Sequence, residues 1–282
     1  MGNQAKRFLV VGGGKMGEAI LAGWIAANNG RAASITADDI EVVEPTAERR
    51  AFLENAHGVS CVATLSAVET APDVVVLAVK PQVMNGVLQG ISEIATFVGG
   101  ESGPLFISIA AGLPTTSLEA GLPRDARLVR VMPNMPLAIA AGASAVCGGA
   151  RAETEDVAFV TDLFGSLGKA VVVDESDMDT VCALSGSGPA YVAAMVEALR
   201  DAATAHGLDA PLAEELALQT VLGTARLIDE TGVSPAEARK SICSPGGTTL
   251  AALDAMHENG FDRVFEAGVD AAVRRSKELA QC

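Results

Sequence analysis

The chain has 282 residues, of which 49% are hydrophobic and 20% charged, with 29 glycines. That composition excludes an intrinsically disordered chain, which lacks the apolar residues to offset its conformational entropy. A net charge of −15 with only 4% aromatic residues argues against a nucleic-acid partner or an anionic membrane surface, since the long-range field repels phosphate and stacking platforms are scarce.

At roughly 150 residues per domain, two domains are expected. No apolar run reaches the ~20 residues needed to span a bilayer. Lys6-Arg7 followed by Phe8–Val11 imitates a signal peptide for four residues, until the glycines and Lys15 interrupt it. Met1-Gly2 meets Lys6 where a myristoylation signal wants Ser or Thr. A soluble, cytoplasmic protein is the expectation. Cys61, Cys147, Cys182, Cys243 and Cys282 are odd in number, widely spaced and without a CxxC pair. Free, buried thiols are expected, with neither a disulfide framework nor a metal site.

In chain order, strands are expected at Phe8–Val11, Ile40–Glu44, Val59–Val62, Val74–Val79, Leu105–Ile109, Leu128–Met132 and Ala170–Asp174. Most are continuously apolar, as parallel strands covered on both faces should be. Helical patterns such as Gly17–Ala27, Ala47–Ala56 and Glu153–Phe164 alternate with them. The expected fold class is α/β, a Rossmann-like doubly wound sheet over residues 1–175. From about Ser176 the strands stop, and residues 176–282 form a second, all-helical domain. Its helices run from Pro189 to a stop at Gly207, over Pro211–Asp229, from the Ser234–Glu237 capping box, and over Thr248–Met256 and Phe261–Leu279. In the helix at 211–229 the charged and amide side chains occupy about 140° of arc, leaving an apolar face wider than one packed surface requires. Burial against a second subunit explains it, as does a large single core.

Gly12-Gly13-Gly14-Lys15-Met16-Gly17 is a GxGxxG that follows a strand and opens a helix. Gly12 permits the tight turn, Gly14 lets the backbone approach a pyrophosphate, and Gly17 lets the helix pack on the strand. The free N–H groups at the helix start, from Lys15 and Met16 onward, receive the phosphates. Glu44 closes the second strand after the polar connection Asn28–Asp39, where a carboxylate binds ribose hydroxyls and repels a 2′-phosphate. Arg49 and Arg50 follow, either as solvated surface groups or as ligands of such a phosphate. The expected cofactor is therefore NADH or NADPH, leaning to NADH. At the carboxyl end of the fourth strand Lys80, in Val79-Lys80-Pro81-Gln82, either contacts that cofactor or faces solvent. Ser108–Gly112 leaves room for a nicotinamide, and Asn134 stands as a rigid amide in Pro133-Asn134-Met135-Pro136. In the helical half, Ser185-Gly-Ser-Gly-Pro189 and Ser244-Pro-Gly-Gly-Thr248-Thr249 read as turns feeding helix N-termini. Each is suited to a small carboxylate.

Together GGGKMG, AVKPQ, SIAAG, RVMPNMP, LSGSGPAY and SPGGTT make the chain resemble the pyrroline-5-carboxylate reductases end to end. The resemblance implies hydride transfer from NAD(P)H to the C=N bond of 1-pyrroline-5-carboxylate, giving L-proline in the last step of proline biosynthesis. It implies a homodimer built through the helical domain, extended in some members to a decamer of five dimers, with the active site formed across subunits. Carried over residue by residue, Gly246, Gly247 and Thr248 donate N–H groups to the substrate carboxylate, and the Thr249 hydroxyl is the catalytic partner of the imine nitrogen. Ser185, Ser187 and Gly188 complete substrate binding. Gly12, Gly14, Lys15, Met16, Gly17, Glu44, Ala78, Val79, Lys80, Pro81 and Asn134 hold the cofactor. Some members place serine, contacting the 2′-phosphate, where Glu44 stands here.

A protonated cyclic imine accepts hydride directly and needs only orientation and a polar group at nitrogen. His57, His206 and His257 read as surface groups, and Tyr191 as either a proton donor or a packing residue. A β-hydroxyacid dehydrogenase would need a lysine on the first interdomain helix, and Pro189–Gly207 contains none. A non-catalytic dinucleotide sensor would have no use for SGSGPA and SPGGTT together.

Overall fold

The computed structural model describes residues 6–27, 35–94, 97 and 103–279. Cys282 and the first seven residues of the Asn28–Asp39 connection lie outside them. Eight strands form one sheet: β1 (Phe8–Val11), β2 (Ile40–Val43), β3 (Ser60–Val62), β4 (Val74–Leu77), β5 (Leu105–Ser108), β6 (Arg127–Met132), β7 (Gly142–Gly148) and β8 (Gly168–Val172). Their spatial order is β3-β2-β1-β4-β5-β6-β7-β8. The first six are mutually parallel, so the order reverses between β1 and β4, the place where such sheets bind ligands.

Helices α1 (Lys15–Ala26), α2 (Ala47–His57), α3 (Pro81–Ser92), α4 (Thr115–Gly121) and α5 (Thr154–Gly165) cover the sheet. Alternate strand residues feed two cores. Phe8, Val10, Val42, Val74, Val76 and Ile107 pack with Ile20 and Trp24 of α1, and Val160 and Phe164 of α5. Leu9, Val11, Val75, Leu77 and Phe106 pack with Met84, Leu88 and Ile91 of α3, and Leu118 of α4. This two-sided burial is why the strands read as unbroken apolar runs. Trp24 lies between Phe8 and Phe164, at 5.5 and 5.9 Å between ring centroids, and donates its indole N–H to the Leu163 carbonyl at 3.3 Å.

Two departures from the sequence reading stand out in the sheet. The sequence pattern gives no strand at β7, because Gly-Ala-Ser-Ala-Val-Cys-Gly has almost no β-branched residues. It also runs antiparallel to β6. A single 3₁₀ turn at Met135–Ile139, with Ala140 at φ 56°, reverses the chain where a helical crossover would have kept it parallel.

The remaining helices are α6 (Met178–Val181), α7 (Gly188–Ala205), α8 (Ala210–Thr231), α9 (Pro235–Ile242), α10 (Thr248–Glu258) and α11 (Phe261–Leu279). The chain divides into two compact units, Met1–Ser187 with Ala272–Cys282, and Gly188–Ala271. In the second unit the Ser234 hydroxyl accepts from the Glu237 N–H at 3.2 Å, while the Glu237 carboxylate accepts the Ser234 N–H at 3.0 Å, so the capping box forms. On α8, Leu216, Leu218 and Leu222 stay 52%, 57% and 49% exposed within the chain, and only Ala213 and Ala217 are buried. No helix among the described residues is long and apolar enough to cross a membrane.

Candidate active site

The turn after β1 shows what each glycine does. Gly12 sits at φ 109° and donates its N–H to the Val43 carbonyl at 2.9 Å; a Cβ there would lie 2.8 Å from the Ala78 carbonyl oxygen. A Cβ on Gly17 would lie 2.2 Å from the Gly12 oxygen, so the helix could not approach the strand. Gly14 differs: nothing lies within 4 Å of a Cβ built on it. Its flank is open, and the first intrahelical bond runs from the Glu18 N–H to the Gly14 carbonyl at 2.9 Å. The N–H groups of Lys15, Met16 and Gly17 therefore have no partner within the helix, and no side chain caps Gly14. An open, uncapped helix start at the reversal point of a parallel sheet fits a pyrophosphate.

Glu44 follows β2 and reaches back to this turn. One carboxylate oxygen accepts the Gly13 N–H at 3.1 Å and the other the Thr46 N–H at 2.9 Å. Neither arginine nearby is a plain solvated group. Arg49 Nε donates to the Gly13 carbonyl at 2.6 Å, and its Nη2 pairs with Glu18. Arg50 Nη1 donates to the Glu44 and Pro45 carbonyls, both at 2.8 Å. His57, expected as a surface group, instead lies 3.1 Å from the Glu18 carboxylate, with its side chain mostly covered. Burial pulls the Glu18 carboxyl upward, but hydrogen bonds from Arg49 and His57, reinforced by their charges, outweigh it and hold the group below its ordinary value. Nothing in the sequence links Glu18 to partners 31 and 39 residues away.

Across the crevice, the Ala78 N–H donates to the Val11 carbonyl at 2.8 Å, and Lys80 stands exposed at the cap of α3 with Pro81 as its first residue. Of the thiols, Cys147 is buried, while Cys61, Cys182 and Cys243 are only half-buried. Desolvation pushes Cys61 and Cys147 up to about 11, so neither is a ready nucleophile.

One sequence expectation is sharpened and one corrected. Asn134, expected as a rigid amide between prolines, is held rigid by two hydrogen bonds. It is buried, its Nδ2 donates to the Ser185 carbonyl at 3.0 Å, and its Oδ1 accepts the Ala143 N–H at 2.8 Å. Ser185–Pro189, expected as a turn feeding a helix, does lead into α7 at Gly188, but its first part is helical rather than a turn. The path from Met178 stays helical: Cys182–Gly186 forms a widened π-helical turn, closed by the Ser187 N–H on the Cys182 carbonyl at 2.9 Å. The Ser185 hydroxyl donates to the Val181 carbonyl at 3.1 Å. A proline inside a helix lacks one N–H and collides with the carbonyl four residues earlier, and here the helical path widens before α7 opens at Gly188.

In the second unit, Ser244–Gly247 is a true turn, with Gly246 at φ 68° and the Gly247 N–H on the Ser244 carbonyl at 3.0 Å. It opens α10 with no side-chain cap at Gly247. The N–H groups of Thr248 and Thr249 have no partner within the helix. The Thr249 hydroxyl has no hydrogen-bond partner among the described residues. The expected cofactor residues thus gather in the sheet unit, while the expected substrate residues fall in two segments, Ser185 and Ser187 in the first unit and Gly188 with 246–249 in the second.

A glycine-cradled helix start at the reversal of a parallel sheet, followed by a helical unit, defines a dinucleotide-dependent oxidoreductase of two parts. Residues 7–112 match the family model described as NADP oxidoreductase coenzyme F420-dependent, and residues 175–279 that of pyrroline-5-carboxylate reductase dimerisation. A pyrroline-5-carboxylate reductase of Synechocystis sp. is 40% identical over 96% of this chain and 97% of its own length. That of Escherichia coli is 34% identical over 98% and 99%. Among solved structures, a pyrroline-5-carboxylate reductase from Coxiella burnetii superposes with a TM-score of 0.86 at 33% identity, covering 98% of this chain and 99% of its own. The Plasmodium falciparum pyrroline carboxylate reductase with NADP bound reaches 0.85 at 29% identity, covering 99% and 100%. The chain belongs to the pyrroline-5-carboxylate reductase family.

Proposed function

We propose that the chain reduces the C=N bond of 1-pyrroline-5-carboxylate to give L-proline, as a cytoplasmic enzyme of proline biosynthesis. The observation that carries this reading is the coexistence of two uncapped helix starts, at Gly14 and at Gly247. One suits a pyrophosphate and the other a small carboxylate. When bound, the nicotinamide cofactor supplies the hydride. Gly12, Gly14, Lys15, Met16 and Gly17 hold its pyrophosphate, Glu44 its adenosine ribose, and Ala78–Pro81 the facing wall. Gly246, Gly247 and Thr248 orient the substrate carboxylate, with Ser185, Ser187 and Gly188 as further substrate residues. The Thr249 hydroxyl bonds the imine nitrogen, which enters protonated or takes its proton from water. Helix α7 offers no lysine for carbonyl chemistry.

NADH is the proposed preference. In its support, the Glu44 carboxylate lies against the Gly13 N–H, where it repels a 2′-phosphate. The proposed assembly is a homodimer through the helical unit, with a decamer of five dimers as its larger form. The test is oxidation of NADH and of NADPH in separate cuvettes with pyrroline-5-carboxylate. Proline formation in either supports the reaction, and faster turnover with NADH supports the preference. Tight cofactor binding without turnover would overturn the reaction. Glu44→Ser should lower the NADH-to-NADPH rate ratio; an unchanged ratio removes Glu44 from the discrimination.

A further inference from the structure

Pro189 lies inside a helical path that runs from Met178 to Ala205 with one widened turn. In an α-helix the N–H of residue 189 would serve the carbonyl of residue 185. Proline has no N–H, so the Ser185 carbonyl loses its helical donor. A covered carbonyl left without a donor keeps its full desolvation penalty. The donor comes from outside the helix: Asn134 Nδ2, at 3.0 Å. The same amide is fixed at its other end by the Ala143 N–H on Oδ1, at 2.8 Å. Asn134 is 7% exposed, so it is a buried strut between the end of β6, the start of β7 and the widened turn. The widened turn packs closely on the end of β6, since a Cβ on Gly186 would lie 2.5 Å from the Met132 methyl.

We propose that Asn134 is a positioning residue for the imine substrate: by serving the carbonyl that Pro189 leaves without a donor, it sets the turn that carries Ser185 and Ser187. This rests on the reading that those serines handle substrate, and it takes Asn134 out of the cofactor set. Asn134→Asp keeps the shape and the Oδ1 acceptor but removes the donor. Steady-state kinetics on pyrroline-5-carboxylate should then lose roughly 10- to 100-fold in kcat/KM, the scale of a displaced reacting group. The Kd for NADH, titrated by fluorescence on the same protein, should stay within about twofold. A weakened Kd with unchanged imine kinetics would overturn the proposal, and so would no change in either.

Pro189→Ala supplies the missing N–H within the helix and provides a second arm for the case in which Asn134→Asp folds poorly. Asn134→Ala should cost clearly less in that background than in the parent, and equal costs would overturn the coupling. Hydrogen exchange of the 182–190 amides gives a readout independent of turnover. If the parent reduces no pyrroline-5-carboxylate, the functional reading fails. Faster exchange in Asn134→Asp would still support the strut, whereas unchanged exchange would overturn it.

Discussion

The two units use apolar residues differently. In the sheet unit, β1 and β4 bury every side chain against helices of the same chain, and two cores close around them. In the helical unit the buried hydrophobic side chains among the described residues are three alanines, Ala213, Ala217 and Ala238, while the leucines of α8 stand half in solvent. Apolar content therefore makes a core only where the chain itself supplies both faces. The wide apolar arc of α8 is one face waiting for another, and a homodimer is the proposed source of it.

The strongest way to break this contrast is to charge the open face. Leu216→Asp with Leu222→Asp removes two leucines at roughly 2 kcal/mol each, enough to weaken association by about a thousandfold. Light scattering over a dilution series should show monomers and turnover should collapse; an unchanged mass would mean that α8 is not the interface. Next comes Gly17→Ala, which drives a Cβ against the Gly12 carbonyl. It should cost roughly 2–3 kcal/mol in denaturant melts and weaken cofactor binding, without altering mass. In the helical unit, Thr249→Ala should lower kcat by roughly 10- to 100-fold, the scale of one lost hydrogen bond to a charged group, with cofactor Kd unchanged. Normal turnover would remove Thr249 from the reaction. The smallest effect is electrostatic. Glu18 has a folded value below its ordinary 4.5, so its contribution is fully present above about pH 5 and is lost as pH falls through the folded value. Glu18→Gln should cost roughly 1 kcal/mol or less at pH 7, and its melting-temperature gap from the parent should close in acid. A gap that does not narrow at all as the pH falls below 4.5 would refute the ion-pair account.

What was legible in the sequence follows from how local its cause is. The strand, turn and helix around the glycine fingerprint read correctly because they are covalent neighbours, although only Gly17 answers a contact within that turn, while Gly12 meets Ala78 and Gly14 faces open space. The Ser234–Glu237 cap is local in the same way. The strand β7 was illegible because its small residues carry no β signal, and pairing with β6 decides its state. Pro189 reads correctly as lying in the first turn of α7, but the widened turn before it was illegible, because the donor for Ser185 comes from 51 residues earlier. The Glu18–Arg49–His57 cluster left no trace, since three separate segments meet only after the sheet has formed.

The exposed leucines of α8 carry a consequence for the enzyme in solution. If another copy closes that face, folding and assembly share one free energy, and mass action enters the stability itself. Thermal midpoint and specific activity would then rise with protein concentration and fall on dilution. The amount of chain a cell makes would become one of the variables that sets how well each molecule works.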